Sequence, residues 1–329
     1  MKIENHKVLV TGGGGYVGSH VVLALLDAGA EPVVLDNFKA GYRDAVPPNV
    51  PIVEGNICDP AAVARAFDAG PFHAIVHCAA LANVPQSFED PQKCYGVNLA
   101  GGLNLLAAAH SQGVRAFVFS SSAAVYGPPQ QTPIPEAHPL APISPYGFSK
   151  AAFERILQDF EAPYGIRSIS LRYFNAAGAD PAGRAGERHD PETHLIPIVL
   201  QHLRGKRPCV KIFGTDYPTP DGSCIRDYIH VSDLAHAHLL ALEALAGGAG
   251  TAAVNLGLGQ GYSVRQVIAA AERIAGRKAT VIEEGRRPGD PPVLVADPTR
   301  VRSTLGWTPR HASLEAIVGD AWRWESRQS

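Results

Sequence analysis

Tyr146 and Lys150 are four residues apart in the string Ser144-Pro145-Tyr146-Gly147-Phe148-Ser149-Lys150. On a helix, positions i and i+4 share a face, so the Lys150 ammonium can sit near the Tyr146 phenol. A neighbouring cation favours the phenolate and lowers its pKa from about 10. The expectation is a tyrosine tuned to take a proton from a hydroxyl near neutral pH. Three serines, Ser120-Ser121-Ser122, precede this pair, and the Ser122 hydroxyl can bridge to the same substrate oxygen. The second chemistry-bearing string is TGGGGYVG at 11–18, with Gly12, Gly15 and Gly18 evenly spaced. Glycine there permits a tight turn and lets the backbone approach a pyrophosphate, which the following helix N-terminus attracts. Asp36 ends the next apolar run. A carboxylate in that place accepts hydrogen bonds from both adenosine ribose hydroxyls and repels a 2′-phosphate, which favours NAD over NADP.

Neither string suffices alone, because glycine-rich turns and Tyr-x-x-x-Lys pairs both occur by chance. Their context decides. Strand-like runs at 7–10, 32–35, 52–54, 74–77, 116–120 and 168–171 alternate with helical stretches at 16–28, 61–69, 92–112 and 146–164. Such alternation predicts an α/β fold, a doubly wound Rossmann-like parallel sheet covered on both faces. The glycine string then follows a strand and opens a helix, the setting that the motif requires. Residues 1–175 are expected to form the dinucleotide-binding domain. Residues 176–329 are expected to form a smaller α/β substrate domain, with 225–256 returning to the main sheet. Within it, 225–231 and 253–256 read as strands and 231–246 as a helix; 176–220 and 285–292 read as loop- and turn-rich.

Composition removes other classes. The chain has 329 residues, 46% hydrophobic, with 29 Lys+Arg against 31 Asp+Glu. That balance offers no electrostatic case for nucleic acid or an anionic membrane. The five cysteines, at 58, 78, 94, 209 and 224, show no metal-site or disulfide spacing, so no metal is expected and a reducing, cytoplasmic setting is. No apolar run has the length of a signal peptide core or a membrane span.

The seven-residue glycine spacing and the Tyr-x-x-x-Lys pair resemble the extended short-chain dehydrogenases/reductases. Within SSSAAVYG, Ala123 and Ala124 stand where related nucleotide-sugar dehydratases carry an Asp-Glu pair; no acid or base for eliminating water is present. The chain then resembles the UDP-glucose 4-epimerase (UDP-galactose 4-epimerase) family nearly end to end. The matching strings are TGGGGYVGSH, LDN at 35–37, FSSSAAVYG, SPYGFSK, LRYFNAAGA at 171–179, IFGTDYPTPDGSCIRDYIHV at 212–231, NLG at 255–257, RRPGD at 286–290 and LGW at 305–307.

That resemblance implies a resident NAD and a UDP-hexose substrate. Tyr146 would move the proton of the sugar 4-OH, Lys150 would also hold the nicotinamide ribose, and Ser122 completes the triad. The implied cofactor contacts are Gly12, Gly15, Tyr16, Val17, Gly18, Asp36, Asn37, Asn56, Ile57, Ala79, Ala80, Leu81, Asn98, Ser120, Tyr146, Lys150 and Tyr173. The implied substrate contacts are Ser122, Tyr146, Phe174, Asn175, His194, Leu195, Lys211, Phe213, Arg226, Arg287, Asp290 and Leu294. Two arginines, Arg226 and Arg287, suit a diphosphate. The pattern departs from the family at Asn56 (often Asp), at Ala82 (often Lys) and at His194 (often Asn). His194 is open to a polar contact or a capping role, Arg226 to a surface pairing with Asp227 or Asp233, and Tyr126 to a place in the pocket. Leu294, intermediate in bulk, leaves acceptance of N-acetylated sugars open. Competing activities are another NAD-dependent nucleotide-sugar epimerase or decarboxylase, acting on UDP-GlcNAc, UDP-glucuronate or a UDP-pentose, and a non-catalytic NAD-binding protein. The resemblance also implies a homodimer through the helices at 92–112 and 146–164.

Overall fold

Apolar runs become parallel strands where both of their faces can be covered. The computed structural model describes residues 2–287 and 289–328; Pro288, inside the predicted RRPGD string, lies outside the described residues. In chain order the strands are β1 (Lys7–Thr11), β2 (Glu31–Asp36), β3 (Ile52–Glu54), β4 (Ala74–His77), β5 (Ala116–Ser122), β6 (Arg167–Tyr173) and β7 (Asn175–Ala177). They continue with β8 (Val210–Phe213), β9 (Ile225–Arg226), β10 (Tyr228–His230), β11 (Ala252–Leu256), β12 (Tyr262–Ser263), β13 (Val281–Glu284) and β14 (Val293–Leu294). Seven make one sheet in the order β11-β6-β5-β4-β1-β2-β3, every pair parallel. The Rossmann-like α/β fold is as expected.

Alternate strand residues feed opposite layers. Val8, Val10, Val76, Val118 and Leu171 join one apolar cluster with the helices Tyr16–Asp27 and Val231–Ala246. Leu9, Ile75, Phe117 and Phe119 join the other, with the helices Pro60–Asp68, Gly102–Ser111 and Pro145–Tyr164. The last of these starts cleanly: Ser144 accepts from Gly147 N at 3.0 Å and Pro145 occupies the first turn, both strong start signals.

Three expectations need correction. The run at 92–112 is not a uniform α-helix: Pro91–Tyr95 passes through a π-type stretch, Gly96–Gly101, into Gly102–Ser111. The run at 253–256 does return to the main sheet, as β11 beside β6. The run at 225–231 does not; it splits into β9 and β10, which pair with β12 and β14 and with β7. Asp227 causes the break. It is fully buried and accepts from the backbone N–H of Leu258, Gly259 and Ala296 at 2.8, 3.0 and 3.2 Å. Burial drives its carboxyl up to about 6, against the pull of those three bonds. Helix Leu195–Leu203 adds order inside 176–220, which the sequence reads as loop-rich, and helices Val264–Ala275, Thr299–Leu305 and Leu314–Arg327 fill stretches that carry no assignment from the sequence. No helix among the described residues is long and apolar enough to cross a membrane.

Candidate active site

Parallel strands end together, so residues just past their carboxyl ends meet at one edge. Gly12–Gly18 follow β1, Asp36 and Asn37 end β2, and Asn56 and Ile57 follow β3. Ala79–Leu81 follow β4, Ser120 and Ser122 close β5, and Tyr173–Asn175 lie at the end of β6. The sheet thus brings the predicted cofactor loops and the serines to one rim, with Ser122 in register with Tyr173.

Tyr146 and Lys150 reach this rim from the Pro145–Tyr164 helix, and both are buried. The Lys150 ammonium donates to Ser120 O at 2.8 Å and lies 5.7 Å from the Tyr146 ring centre. Burial lowers Lys150 to about 8, moderated by Cys78, Cys94 and Glu154. The expected acidification of Tyr146 by Lys150 is not what the protein's own field does. Burial raises the phenol above its ordinary value, and the hydrogen bond with Ser122 opposes that rise without cancelling it. Lys150 does not counter that rise: its ammonium donates to the Ser120 carbonyl and stands 5.7 Å from the ring centre, so desolvation prevails.

Asn98, in the π-type stretch, locks the base of this helix. Its Oδ1 accepts from Leu81 N at 2.8 Å and its Nδ2 donates to Ser149 Oγ at 2.9 Å. Ser149 in turn donates to Tyr146 O at 2.7 Å. The loop after β4 and the catalytic helix are therefore tied through one amide. Deeper in, Arg172 on β6 grips Glu154 on the helix at 2.6 Å, both side chains almost wholly enclosed. Tyr126 belongs to this network and not to the pocket: it is fully buried, donates to Asn255 Oδ1 at 2.6 Å and accepts from Arg172 Nη1 at 2.9 Å.

The glycine loop has the shape of a dinucleotide cradle. A Cβ on Gly12 would lie 2.6 Å from Ala79 N, and one on Gly18 would lie 2.0 Å from Gly12 O. The helix that begins at Tyr16 has no side-chain cap and no acid in its first turn. Its free N–H groups suit an anion. Asp36 braces the loop, accepting from Gly14 N and Phe38 N at 2.8 Å each. Asn56 accepts from Cys58 N at 3.0 Å. Tyr16 bonds Gly178 O through its hydroxyl at 2.8 Å, and Ile57 packs into the core. Those two side chains are structural, which leaves their backbone for a ligand. These residues fit NAD.

Beside the rim lies a cavity of about 500 Å³. Asn175, His194, Leu195, Lys211, Phe213, Arg226, Arg287 and Asp290, all predicted substrate contacts, line it. Ser122, Tyr146, Phe174 and Leu294 do not; the short run Tyr173–Asn175 joins the cavity to the catalytic residues. Phe174 and Leu294 instead pack against Val125, Tyr126 and Ile134. Arg226 pairs with Asp290 at 2.8 Å, not with Asp227 or Asp233. Arg287 stacks on Phe213, 3.8 Å from the ring centre, and Lys211 pairs with Glu284 at 3.0 Å. His194 stands at the N-cap of the Leu195–Leu203 helix but makes no capping bond. Its side chain meets Glu187 and Glu192 instead. Sequence reasoning missed those two acids. The alternation of acids and histidines in Glu187-Arg188-His189-Asp190-Pro191-Glu192-Thr193-His194 was the available signal.

A profile described as "NAD dependent epimerase/dehydratase family" matches residues 8–257. The chain belongs to that family. Among curated members it is 50% identical over 319 residues to a UDP-glucose 4-epimerase of Azospirillum brasilense, covering 97% of this chain and 92% of that one. Solved structures agree. A UDP-glucose 4-epimerase from Brucella ovis in complex with NAD matches with TM-score 0.94 at 44% identity, over 97% of this chain and 98% of that one. One from Bifidobacterium longum in complex with NAD+ and UDP matches with TM-score 0.91 at 34% identity, over 98% of each chain.

Proposed function

We propose that this protein interconverts UDP-glucose and UDP-galactose by inverting C4, with NAD as its bound cofactor. The observation that carries the proposal is the meeting, at one sheet edge, of three things: the Tyr146–Ser122–Lys150 group, a glycine cradle shaped for a dinucleotide, and a cationic cavity. Near-end-to-end likeness to UDP-glucose 4-epimerases supports it. Bound NAD supplies a reversible hydride acceptor for C4. Gly12, Gly15 and Gly18 with the N–H groups of Tyr16 and Val17 hold its pyrophosphate. Asp36 takes its adenosine ribose, with Asn37, Asn56, Ala79–Leu81, Asn98, Ser120 and Tyr173 around the rest, and Lys150 takes the nicotinamide ribose.

In its phenolate form, the fraction that grows with pH, Tyr146 receives the proton of the sugar 4-OH and becomes the neutral phenol, and Ser122 holds that oxygen in place. The 4-keto sugar turns about its link to the diphosphate while the nucleotide stays anchored. Tyr146 then returns the proton to an oxygen whose carbon has been rebuilt from the other face. Arg226, Arg287, Lys211 and His194 supply positive charge for the diphosphate, Phe213 lies beside the uracil, and Asp290 takes the uridine ribose. Residues 1–175, joined by the Val231–Ala246 helix and β11, serve chiefly the cofactor, and the remainder of 176–329, with Arg226, serves the substrate. Purified protein given UDP-galactose and no added nicotinamide should yield UDP-glucose. Unchanged substrate in protein shown to hold NAD would reject this function and leave another nucleotide-sugar activity.

Exposed apolar side chains support a homodimer. Phe88, Leu103 and Phe148 stand out on helices Val84–Glu89, Gly102–Ser111 and Pro145–Tyr164, a patch that a second copy would cover. A single species of monomer mass in sedimentation at micromolar concentration would contradict it. Five free cysteines support a reducing compartment such as the cytoplasm.

A further inference from the structure

The cavity's cations are mostly spoken for. Arg226 is held by Asp290 and Lys211 by Glu284, while Arg207 bonds Gln201 and the Glu192 carbonyl. Among the described residues, the Arg287 guanidinium meets the face of Phe213. A diphosphate brings at least two negative charges, so the next donor matters. His194 lines the same cavity, and its side chain is half exposed.

Its environment on the other side is unusual. Nδ1 of His194 lies 3.0 Å from Glu187 Oε1 and 2.9 Å from Glu192 Oε1. The two carboxylates are nearly enclosed and also flank His189 Nδ1, at 3.3 and 3.4 Å. Tyr16 edges onto the His189 ring from the cofactor side. Two carboxylates sharing one ring nitrogen require a proton on that nitrogen. They also fix the ring, which leaves Nε2 to the cavity. A neutral ring held this way would turn a lone pair toward the ligand; a charged ring turns an N–H. Two glutamates and two imidazoliums balance, so no charge is stranded in the enclosed cluster.

We propose that Glu187 and Glu192 are positioning residues that keep His194 an imidazolium and commit its Nε2–H to the substrate diphosphate. The inference rests on the function proposed above. Titration directions agree with the geometry. Burial pulls His194 down, but its bonds to Glu187 and Glu192 outweigh burial and lift it to about 10. His189 follows the same balance to about 9. Glu192 is driven down to about 2, as its bonds to His189 and His194 overcome burial. The sign is that of a base raised on folding: the charge is present at neutral pH and is lost only as pH passes the raised value.

The test uses the NAD-loaded protein and two readouts. Histidine ring NMR, with the His194 signal assigned by its loss in His194→Gln, gives the ring's titration without any ligand. Calorimetry with UDP between pH 6 and 10 gives binding without turnover. The ring should titrate well above about 6.5, the ordinary value, and should fall toward it in Glu192→Gln and Glu187→Gln. UDP affinity should be flat through pH 8 in the unaltered protein and decline about tenfold near neutrality in either glutamine variant. His194→Gln should weaken UDP at pH 7, with no further loss when Glu192→Gln is added. A wild-type ring titrating near 6.5 overturns the inference even if epimerase activity is present. Glutamine variants whose UDP profile matches wild type also overturn it. So does a stoichiometric divalent cation held by the four side chains in place of their protons. A high ring value with no UDP binding at any pH would instead reject the substrate assigned to the cavity, and the role of His194 with it.

Discussion

Replacing Tyr146 by phenylalanine removes one oxygen from a buried ring. The ring is only 8% exposed, so phenylalanine fills the same volume and opens no cavity. Ser122, the hydroxyl's protein partner, also accepts from Ala124 N at 3.2 Å and is not stranded. Stability should therefore change by less than about 1 kcal/mol. The loss falls on chemistry: a positioned acid–base group contributes about 10²–10⁴ in rate, or about 3–5 kcal/mol at the barrier. UDP affinity should hold, because the cavity lining does not include residue 146. Conversion of UDP-galactose to UDP-glucose, followed at saturating substrate, should drop in kcat by that factor while UDP binding and Tm stay put. The pH profile adds a sign. Burial raises the phenol above its ordinary value, so wild-type turnover should climb with pH through neutrality and the phenylalanine variant should not. Full turnover in Tyr146→Phe, or a kcat loss matched by an equal loss of UDP affinity, would refute the assignment.

Other outcomes follow from the same geometry. Gly18→Ala puts a methyl 2.0 Å from Gly12 O and should yield protein with little bound NAD, read by denaturing extraction and absorbance; full occupancy would contradict the cradle. Lys150 titrates at about 8 against an ordinary 10.5. The folded state thus binds that proton more weakly, and the buried ammonium costs stability below about pH 8, a cost that vanishes as pH rises through both values. The gap amounts to about 3 kcal/mol, offset by about 1–3 kcal/mol for the abandoned Ser120 carbonyl. Lys150→Met should accordingly lose turnover with Tm at pH 7 near or above wild type, and a large fall in Tm would contradict that balance. Glu154→Ala strands the enclosed Arg172 guanidinium and should lower stability by about 3–5 kcal/mol, measured by urea unfolding.

The first half of the fold was legible because its signals were local. Alternating strand and helix periods, the glycine string and the Ser144-Pro145 helix start each act within a few residues, and each lies where it was expected. The break at Asp227 was not legible: its three backbone donors come from residues 258, 259 and 296, far along the chain. The later helices hid behind short, Pro- and Gly-punctuated segments, although Ser263 and Gln266 form a capping box that the spacing alone offers. Of the site, residue types were readable and fields were not. The Tyr146–Lys150 spacing is a matter of sequence; the carbonyl of Ser120 that claims the ammonium, and the desolvation that raises the phenol, exist only once the sheet is built.

The clasp between Arg172 and Glu154, extended through Tyr126 to Asn255, stitches the catalytic helix to β6 and to β11 at the sheet's margin. The opposite side of the site hangs on ribbons two to four residues long. Any give during a catalytic cycle is thereby assigned to one side, and the proton shuttle keeps a fixed address while its passenger revolves.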